Sequence, residues 1–462
     1  MSAPLWDSTS LRAATGGEVP EGVAVSGVSI DSRAVGDGEL FIALRDARDG
    51  HDFVADALRR GAGCAMVDHE VEGAPLLRVA DTLAGLTALG AAGRARSSAG
   101  IVAVTGSVGK TSTKEMLAAG LSAAGRVHAA AASYNNHWGV PLTLARMPVE
   151  ADFGVVEIGM NTRGEIAPLA RLARPHVAVI TVIAPAHLGR LGSLETIAEE
   201  KADILEGLEP GGVAVLPAEG TQAELLQRRA AAAGVRAVLF GEGERAEARL
   251  VGWAGEADRQ RFRVALGGDE IEVALAVPGR HMALNAVAAM AAARALGVEP
   301  RRFAEGLAGF AALAGRGARV SIPLVGGAAL LLDESYNANT TSMRAALAVL
   351  AAQEGKRRIA VMGDMLELGN EGVAMHAALA ADAAACADLV FTCGPQMAAL
   401  YAALPAGRRG AHAEDSEALA PIVAEALRAG DAVLVKGSLG SRMAAVVRAI
   451  KAQGAAGRGE AA

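Results

Sequence analysis

Aromatic side chains are scarce. Phenylalanine, tryptophan and tyrosine make up 3% of the chain, while alanine and glycine dominate. Cores built on small and aliphatic residues suit tightly packed α/β layers. Cysteine is scarcer still. Cys64, Cys386 and Cys393 form no CxxC pair and no metal-ligand spacing, and their number is odd. That excludes a disulfide framework and points to buried, reduced thiols. No uninterrupted apolar run reaches the ~18 residues that a membrane span needs, because Arg, Asp or Gly breaks the alanine-rich stretches. The first residues lack a basic-then-apolar leader pattern. A cytoplasmic location with no membrane span is expected. Basic clusters are also missing. The net charge is −7, so nucleic acid is not an expected partner. Small-molecule substrates are expected instead, and anionic ones would need local cationic pockets.

The chain has 462 residues, 52% of them hydrophobic. That is enough for about three domains of roughly 100–200 residues. The segment 1–97 reads as a small α/β domain, with strands near 25–30, 40–44 and 64–67 and a polar linker at 94–98. Across 98–313, strands near 101–105, 153–158, 177–183 and 212–216 alternate with helices near 111–124, 164–172 and 193–208. Such alternation predicts a mostly parallel sheet covered on both faces. Alternating apolar residues on either side of Gly267-Gly268 predict an antiparallel hairpin at its side. The last segment, 314–462, alternates again, with strands near 328–333, 358–362, 389–393 and 432–436. It reads as Rossmann-like, although its glycines do not spell GxGxxG.

The most informative stretch is Ile101-Val102-Ala103-Val104-Thr105-Gly106-Ser107-Val108-Gly109-Lys110-Thr111-Ser112-Thr113. A β-branched run breaks at glycines and resumes as a helix. Glycines let backbone N–H groups turn inward around an anion, and a helix N-terminus adds partial positive charge. Lys110 supplies a full charge, and the Thr111 hydroxyl is placed to reach Mg²⁺. The first glycine of GxxxxGK[ST] is absent, since Val104 stands there. The strand and helix on either side still point to a bound nucleoside triphosphate.

Other candidates lie at carboxyl ends of strands, where α/β sheets bind ligands. Glu157 ends an apolar strand and can face a loop-bound metal, cap a helix or pair with a cation; the neighbouring phosphate loop favours the metal. His187 follows Ala184-Pro185-Ala186 and suits either ligation or a structural role. Lys201 lies among Glu199, Glu200 and Asp203 and reads as part of a solvated helix face. Asn285 can read an adenine edge or simply begin a helix. Asp333-Glu334-Ser335-Tyr336-Asn337-Ala338-Asn339 and Lys436-Gly437-Ser438 are dense polar segments after apolar strands.

Taken in order, the phosphate loop, Glu157-Ile158-Gly159-Met160-Asn161, Ala186-His187-Leu188 and Glu200-Lys201 resemble the Mur ligases of peptidoglycan synthesis. Asp31-Ser32-Arg33, Asp49-Gly50-His51-Asp52-Phe53, Asn135-Asn136 and Ser335-Tyr336-Asn337-Ala338-Asn339 are most similar to the branch that adds D-alanyl-D-alanine to UDP-N-acetylmuramoyl-tripeptide. The resemblance spans the whole chain. It implies an ATP-dependent amide ligase of three domains: 1–97 for the UDP-sugar substrate, 98–313 for ATP, and 314–462 closing over the site. It implies that Gly106, Ser107, Val108, Gly109, Lys110, Thr111 and Ser112 hold phosphates. Asn285, Arg316 and Asp333 would contact nucleotide, with Arg319 an alternative to Arg316. Thr111, Glu157, His187 and a carbamylated Lys201 would be associated with Mg²⁺. Ser32, Arg33, Asn135, Asn337 and Asn339 would contact substrate. A monomer is expected.

The chain departs from the family pattern at Val108, at Thr340, at Leu44-Arg45-Asp46 and at Leu216-Pro217-Ala218-Glu219. Two alternatives stand beside this reading. One is a relative that adds a diamino acid or glutamate, and the other is a phosphate-loop kinase.

Overall fold

The computed structural model describes residues 4–186 and 188–459, with side chains to residue 454. At its centre is a nine-stranded sheet. Its order is Asp269–Leu275, Gln260–Leu266, Ala248–Gly255, Arg236–Gly241, Val213–Pro217, Val177–Ile180, Gly100–Thr105, Phe153–Glu157, Val127–Ala129. The last seven strands in that order run parallel, and the first two form the expected hairpin. Gly267 and Gly268 turn that hairpin with φ of +69° and +95°, as a tight two-residue loop requires.

The strand Gly100–Thr105 shows why both faces are covered. Val102 and Val104 pack with Met116 and Leu117 of the helix Lys110–Ser122. Ile101 and Ala103 pack on the other side with Leu144, Ile166 and Ile197. Alternate residues thus feed two cores, and the strand's carboxyl end is fixed from both sides.

The N-terminal part holds a four-stranded parallel sheet, Val28–Ser29, Leu40–Ile42, Cys64–Val67 and Leu76–Arg78. The single strand expected at 25–30 is split. Ala24–Val25 pairs with Trp6–Asp7 in a separate ribbon, and Val28–Ser29 joins the sheet. Gly27 sits at the break, where a Cβ would lie 2.5 Å from Glu39 Oε1.

The linker expected at 94–98 is not a free tether. Arg94 belongs to the helix Thr82–Arg96 and is 4% exposed. Its guanidinium donates to the carbonyls of Ala173 and Arg174, each at 2.8 Å. A charge that reads as solvated therefore bolts the first segment to the central sheet.

The C-terminal part holds six strands in the order Ala318–Leu324, Gly327–Glu334, Asp431–Lys436, Arg357–Gly363, Leu389–Cys393, Arg409–Ala413. All pairs are parallel except the first. The chain is therefore α/β throughout. A cavity of about 650 Å³ lies where the carboxyl ends of the central strands meet this third sheet.

Candidate active site

Gly106 and Gly109 shape the phosphate loop. Their φ values are +149° and +86°, a region that side chains with a Cβ rarely enter. A Cβ on Gly106 would lie 1.8 Å from Thr181 Oγ1, and one on Gly109 would lie 2.6 Å from Asn285 Oδ1. Thr181 Oγ1 donates to the Val108 carbonyl at 2.6 Å, and Ser107 N donates to the Val182 carbonyl at 2.8 Å. The neighbouring strand thus holds the loop open. Gly106→Ala is expected to cost about 1–3 kcal/mol of local strain and to lower kcat/KM for ATP about 100-fold. Nucleotide titration of the variant measures this; unchanged ATP kinetics would contradict the loop's role.

Lys110 opens the helix behind the loop, and its Nζ donates to the Gly106 carbonyl at 2.8 Å. Burial pushes this amine below its ordinary range, Glu157 opposes the shift, and Arg316 adds to it. A polyanion in the loop would restore the charged form, since an opposite charge favours it.

Glu157 is 1% exposed. Thr111 Oγ1 donates to its Oε2 at 2.9 Å, and Asn135 Nδ2 donates to its Oε1 at 2.7 Å. Ser133 Oγ lies 2.8 Å from Thr111 Oγ1 and 3.4 Å from Glu157 Oε1. This donor set is all oxygen and opens on the cavity, so it fits hard, oxygen-seeking Mg²⁺.

Sequence patterning missed Ser133. It follows the short strand Val127–Ala129, which was not expected either. Its place beyond the carboxyl end of a parallel strand is the signal that could have found it.

Lys201 departs from the solvated-face reading. It is 2% exposed, and its Nζ has no hydrogen-bond partner among the described residues. Burial drives its pKa well down, the charge on Lys110 drives it further, and Glu200 opposes both. Glu200 itself is turned inward, accepting from the N–H groups of Gly164, Glu165 and Ile166 at 2.8, 3.0 and 3.2 Å. His187 lies outside the described residues.

The third sheet supplies the facing wall. Arg316 donates from Nη2 to Ser133 Oγ at 3.1 Å, and its guanidinium stacks on Tyr336 at 4.1 Å. Arg319 turns away, to the Ala257 carbonyl and Gln353 Oε1. The geometry therefore separates the two arginines, and Arg316 is the one that faces the cavity. Asn285, Asn337 and Asn339 also line it. Asn339 doubles as the N-cap of the helix Thr340–Ala351.

Asp333 is not part of the lining. It is 4% exposed and accepts from Ser335 Oγ at 2.6 Å. Ser32 and Arg33 lie apart, in the first sheet's loops. Arg33 is exposed, and its guanidinium holds the Asp31 carboxyl down to about 2.

Three family models match the chain: the Mur ligase family catalytic domain over residues 24–132, the Mur ligase middle domain over 104–293, and the Mur ligase glutamate ligase domain over 319–439. This chain belongs to the Mur ligase family. Among its fellow Mur ligases is the UDP-N-acetylmuramoyl-tripeptide–D-alanyl-D-alanine ligase of Escherichia coli K12, 36% identical over 94% of this chain and 95% of that enzyme. The enzyme of the same name from Bacillus subtilis 168 is 34% identical over 93% of each chain. The crystal structure of MurF from Acinetobacter baumannii superposes with a TM-score of 0.85 at 30% identity, covering 97% of this chain and 99% of that one. The MurF ligase of Thermotoga maritima, solved in complex with ADP, gives 0.77 at 26% identity, covering 93% and 97%. In this Mur ligase the loop, the Glu157 cluster and Arg316 therefore sit in a family scaffold matched along nearly its whole length.

Proposed function

We propose that this Mur ligase joins D-alanyl-D-alanine to UDP-N-acetylmuramoyl-tripeptide at the expense of ATP, forming ADP and phosphate. One observation carries the reading. A single cavity gathers the phosphate loop, the buried oxygen cluster around Glu157, and Arg316 from the third sheet. A kinase needs only the first two of these. A ligase must also bring an amine, and the third sheet closes the cavity from the side where it would arrive. Relatives covering nearly the whole chain carry the name of this ligase.

A carboxylate is a poor acyl donor. Its oxygen attacks the γ-phosphorus of ATP, ADP leaves, and an acyl phosphate results. The amine then attacks the acyl carbon and phosphate departs. Lys110 and the loop amides hold the phosphates while charge moves between them. Arg316 reaches the same region from the opposite wall. Thr111, Glu157 and Ser133 would hold Mg²⁺, which supplies charge neutralisation on the transferred group. Enclosure between the two sheets keeps water from the acyl phosphate.

Lys201 fits carbamylation. A buried amine without a hydrogen-bonding partner, biased toward its neutral form, can attack CO₂ and release a proton, leaving an anionic carbamate. That anion would face Lys110 and could support a second Mg²⁺. Asn285 is proposed for the nucleotide side; Asp333, which lies outside the lining and accepts from Ser335, is not. Asn135, Asn337 and Asn339 are proposed for the peptide side, and Ser32 and Arg33 for the UDP moiety, with domains at 1–97, 98–313 and 314–462. No helix among the described residues is long and apolar enough to cross a membrane. We place the enzyme in the cytoplasm as a monomer.

Phosphate release from ATP and UDP-muramoyl-tripeptide tests the reading. Release should depend on D-alanyl-D-alanine. Release driven instead by free glutamate or a diamino acid would assign the chain to another branch of the family.

A further inference from the structure

The Asp49-Gly50-His51-Asp52-Phe53 segment takes no part in the catalytic cavity. It builds a second polar centre at the edge of the first sheet. The strands Leu40–Ile42 and Cys64–Val67 are parallel register partners. The chain leaving the first carries Arg45, Asp49 and His51, and the chain leaving the second carries Asp68 and His69. The loop between Arg45 and Asp49 is closed. These two residues form an antiparallel bridge, and Gly50 N donates to the Leu44 carbonyl at 2.8 Å. A Cβ on Gly50 would lie 2.5 Å from that oxygen, so glycine is what lets the loop shut.

The His51 side chain is 3% exposed and that of Asp68 5%. His51 Nδ1 donates to Asp49 Oδ1 at 2.6 Å, which leaves Nε2 with the lone pair. Nε2 accepts from Asp68 N at 3.2 Å and lies 3.3 Å from Asp68 Oδ1. His69 Nδ1 lies 2.8 Å from the same oxygen, and the two imidazole rings are 4.1 Å apart. Two ring nitrogens therefore converge on one buried carboxylate. Among the described residues this is the one group of three histidine, cysteine or acidic side chains whose ligand atoms all lie within 4.8 Å of one another. Metal bonds of about 2.0–2.2 Å set neighbouring ligand atoms about 3–3.5 Å apart, close to the 2.8 and 3.3 Å found here. Behind His51 stands the carboxylate that orients metal-binding imidazoles. Hydrogen bonds from His51 N and from its ring hold Asp49 well below the usual carboxylate range, so it stays an acceptor.

Arg45 fills the place of a cation. Its Nη1 and Nη2 reach Asp68 Oδ2 and Oδ1 at 2.9 and 2.7 Å, and Nη2 lies 3.0 Å from His69 Nδ1. Its side chain is 53% exposed, and an exposed ion pair contributes little. The guanidinium is free to swing out toward Asp49 Oδ2, which its Nε already meets at 3.2 Å. We infer that His51, Asp68 and His69 bind Zn²⁺, with Asp49 orienting His51 and Arg45 covering the ligands until the ion arrives. Two imidazoles and one carboxylate suit Zn²⁺ better than oxygen-seeking Mg²⁺. The ion would tie the loop after one strand to the end of the next and stiffen this edge of the first sheet.

Calorimetric titration of Zn²⁺ into tag-free, full-length enzyme tests the site, with Mg²⁺ in large excess to occupy the Glu157 cluster. The wild type should bind one Zn²⁺ and melt at a higher temperature with it, because the ion binds the folded chain. His69→Ala removes an exposed side chain and should fold normally. Its Zn²⁺ affinity should fall more than about 100-fold, while Asp49→Asn, which removes only the orienting carboxylate, should lose about 10–100-fold. Arg45→Gln should bind about two- to fivefold more tightly, since a competing exposed pair is gone. Co²⁺ in place of Zn²⁺ should give a visible absorption band that disappears in His69→Ala. No saturable one-to-one binding by the wild type, or the same affinity in His69→Ala, would overturn the proposal.

Discussion

Lys110→Ala is expected to abolish ligation. The loop amides and the helix N-terminus remain in the variant, so nucleotide still binds, but the full positive charge beside the β,γ-phosphates is gone. Preorganised charge of this kind is worth about 100–1000-fold per donor at a developing oxyanion. A lysine held in place by the Gly106 carbonyl at 2.8 Å should lie at or beyond the upper end, about 1000-fold or more in kcat. The fold should survive. Burial holds Lys110 below its ordinary pKa, so its loss removes a desolvation cost as well as a hydrogen bond. Phosphate release and melting temperature, measured together, check both halves. Near-normal turnover in a folded variant would overturn the phosphate-transfer scheme.

Lys201→Ala is expected to be nearly as damaging, for a different reason. The residue is buried, and both burial and the Lys110 charge press it toward the neutral amine. As an unmodified lysine it would be a liability beside Lys110. As a carbamate it becomes an anion that Lys110 and Mg²⁺ would favour. Alanine leaves a small void and no anion, so activity should fall about 1000-fold, the scale of losing one preorganised electrostatic group. Short carboxylic acids such as acetate or formate should restore part of it by placing a carboxylate in that void. Activity with ¹³CO₂ also bears on the point, since a carbamate carbon should appear in the ¹³C spectrum of the wild type and vanish in the variant. Unchanged activity in Lys201→Ala would mean that the lysine only fills space.

The phosphate loop was legible because its signals are local. A β-branched run, two glycines and a Lys-Thr pair dictate strand, turn and helix over thirteen neighbouring residues. Lys201 was not legible, because its burial is a tertiary fact. The helix Leu194–Ala202 carries charges at Glu195, Glu199 and Glu200, and nothing nearby says that Glu200 and Lys201 face inward while Glu199 meets Arg229 at the surface. Arg94 misled in the same way, since its partners lie about eighty residues downstream. Arg316 and Arg319 are separated only by what crosses from the central sheet to meet each of them.

Short strands were lost for a simpler reason. Val127–Ala129 and Arg409–Ala413 are edge strands with few β-branched residues, so intrinsic preference gives little warning of them. Yet Val127–Ala129 leads into Ser133 and Asn135, which hold Glu157. The part of the site least visible in the sequence is therefore the part that orients its buried carboxylate.

The central claim is that ATP here activates a carboxylate for attack by an amine. Mass analysis of the product formed from ATP, UDP-muramoyl-tripeptide and D-alanyl-D-alanine tests it most directly. The account predicts the tripeptide substrate enlarged by the dipeptide less one water, with one ADP and one phosphate formed per product. A stable phosphorylated tripeptide substrate, with no dipeptide incorporated, would contradict it.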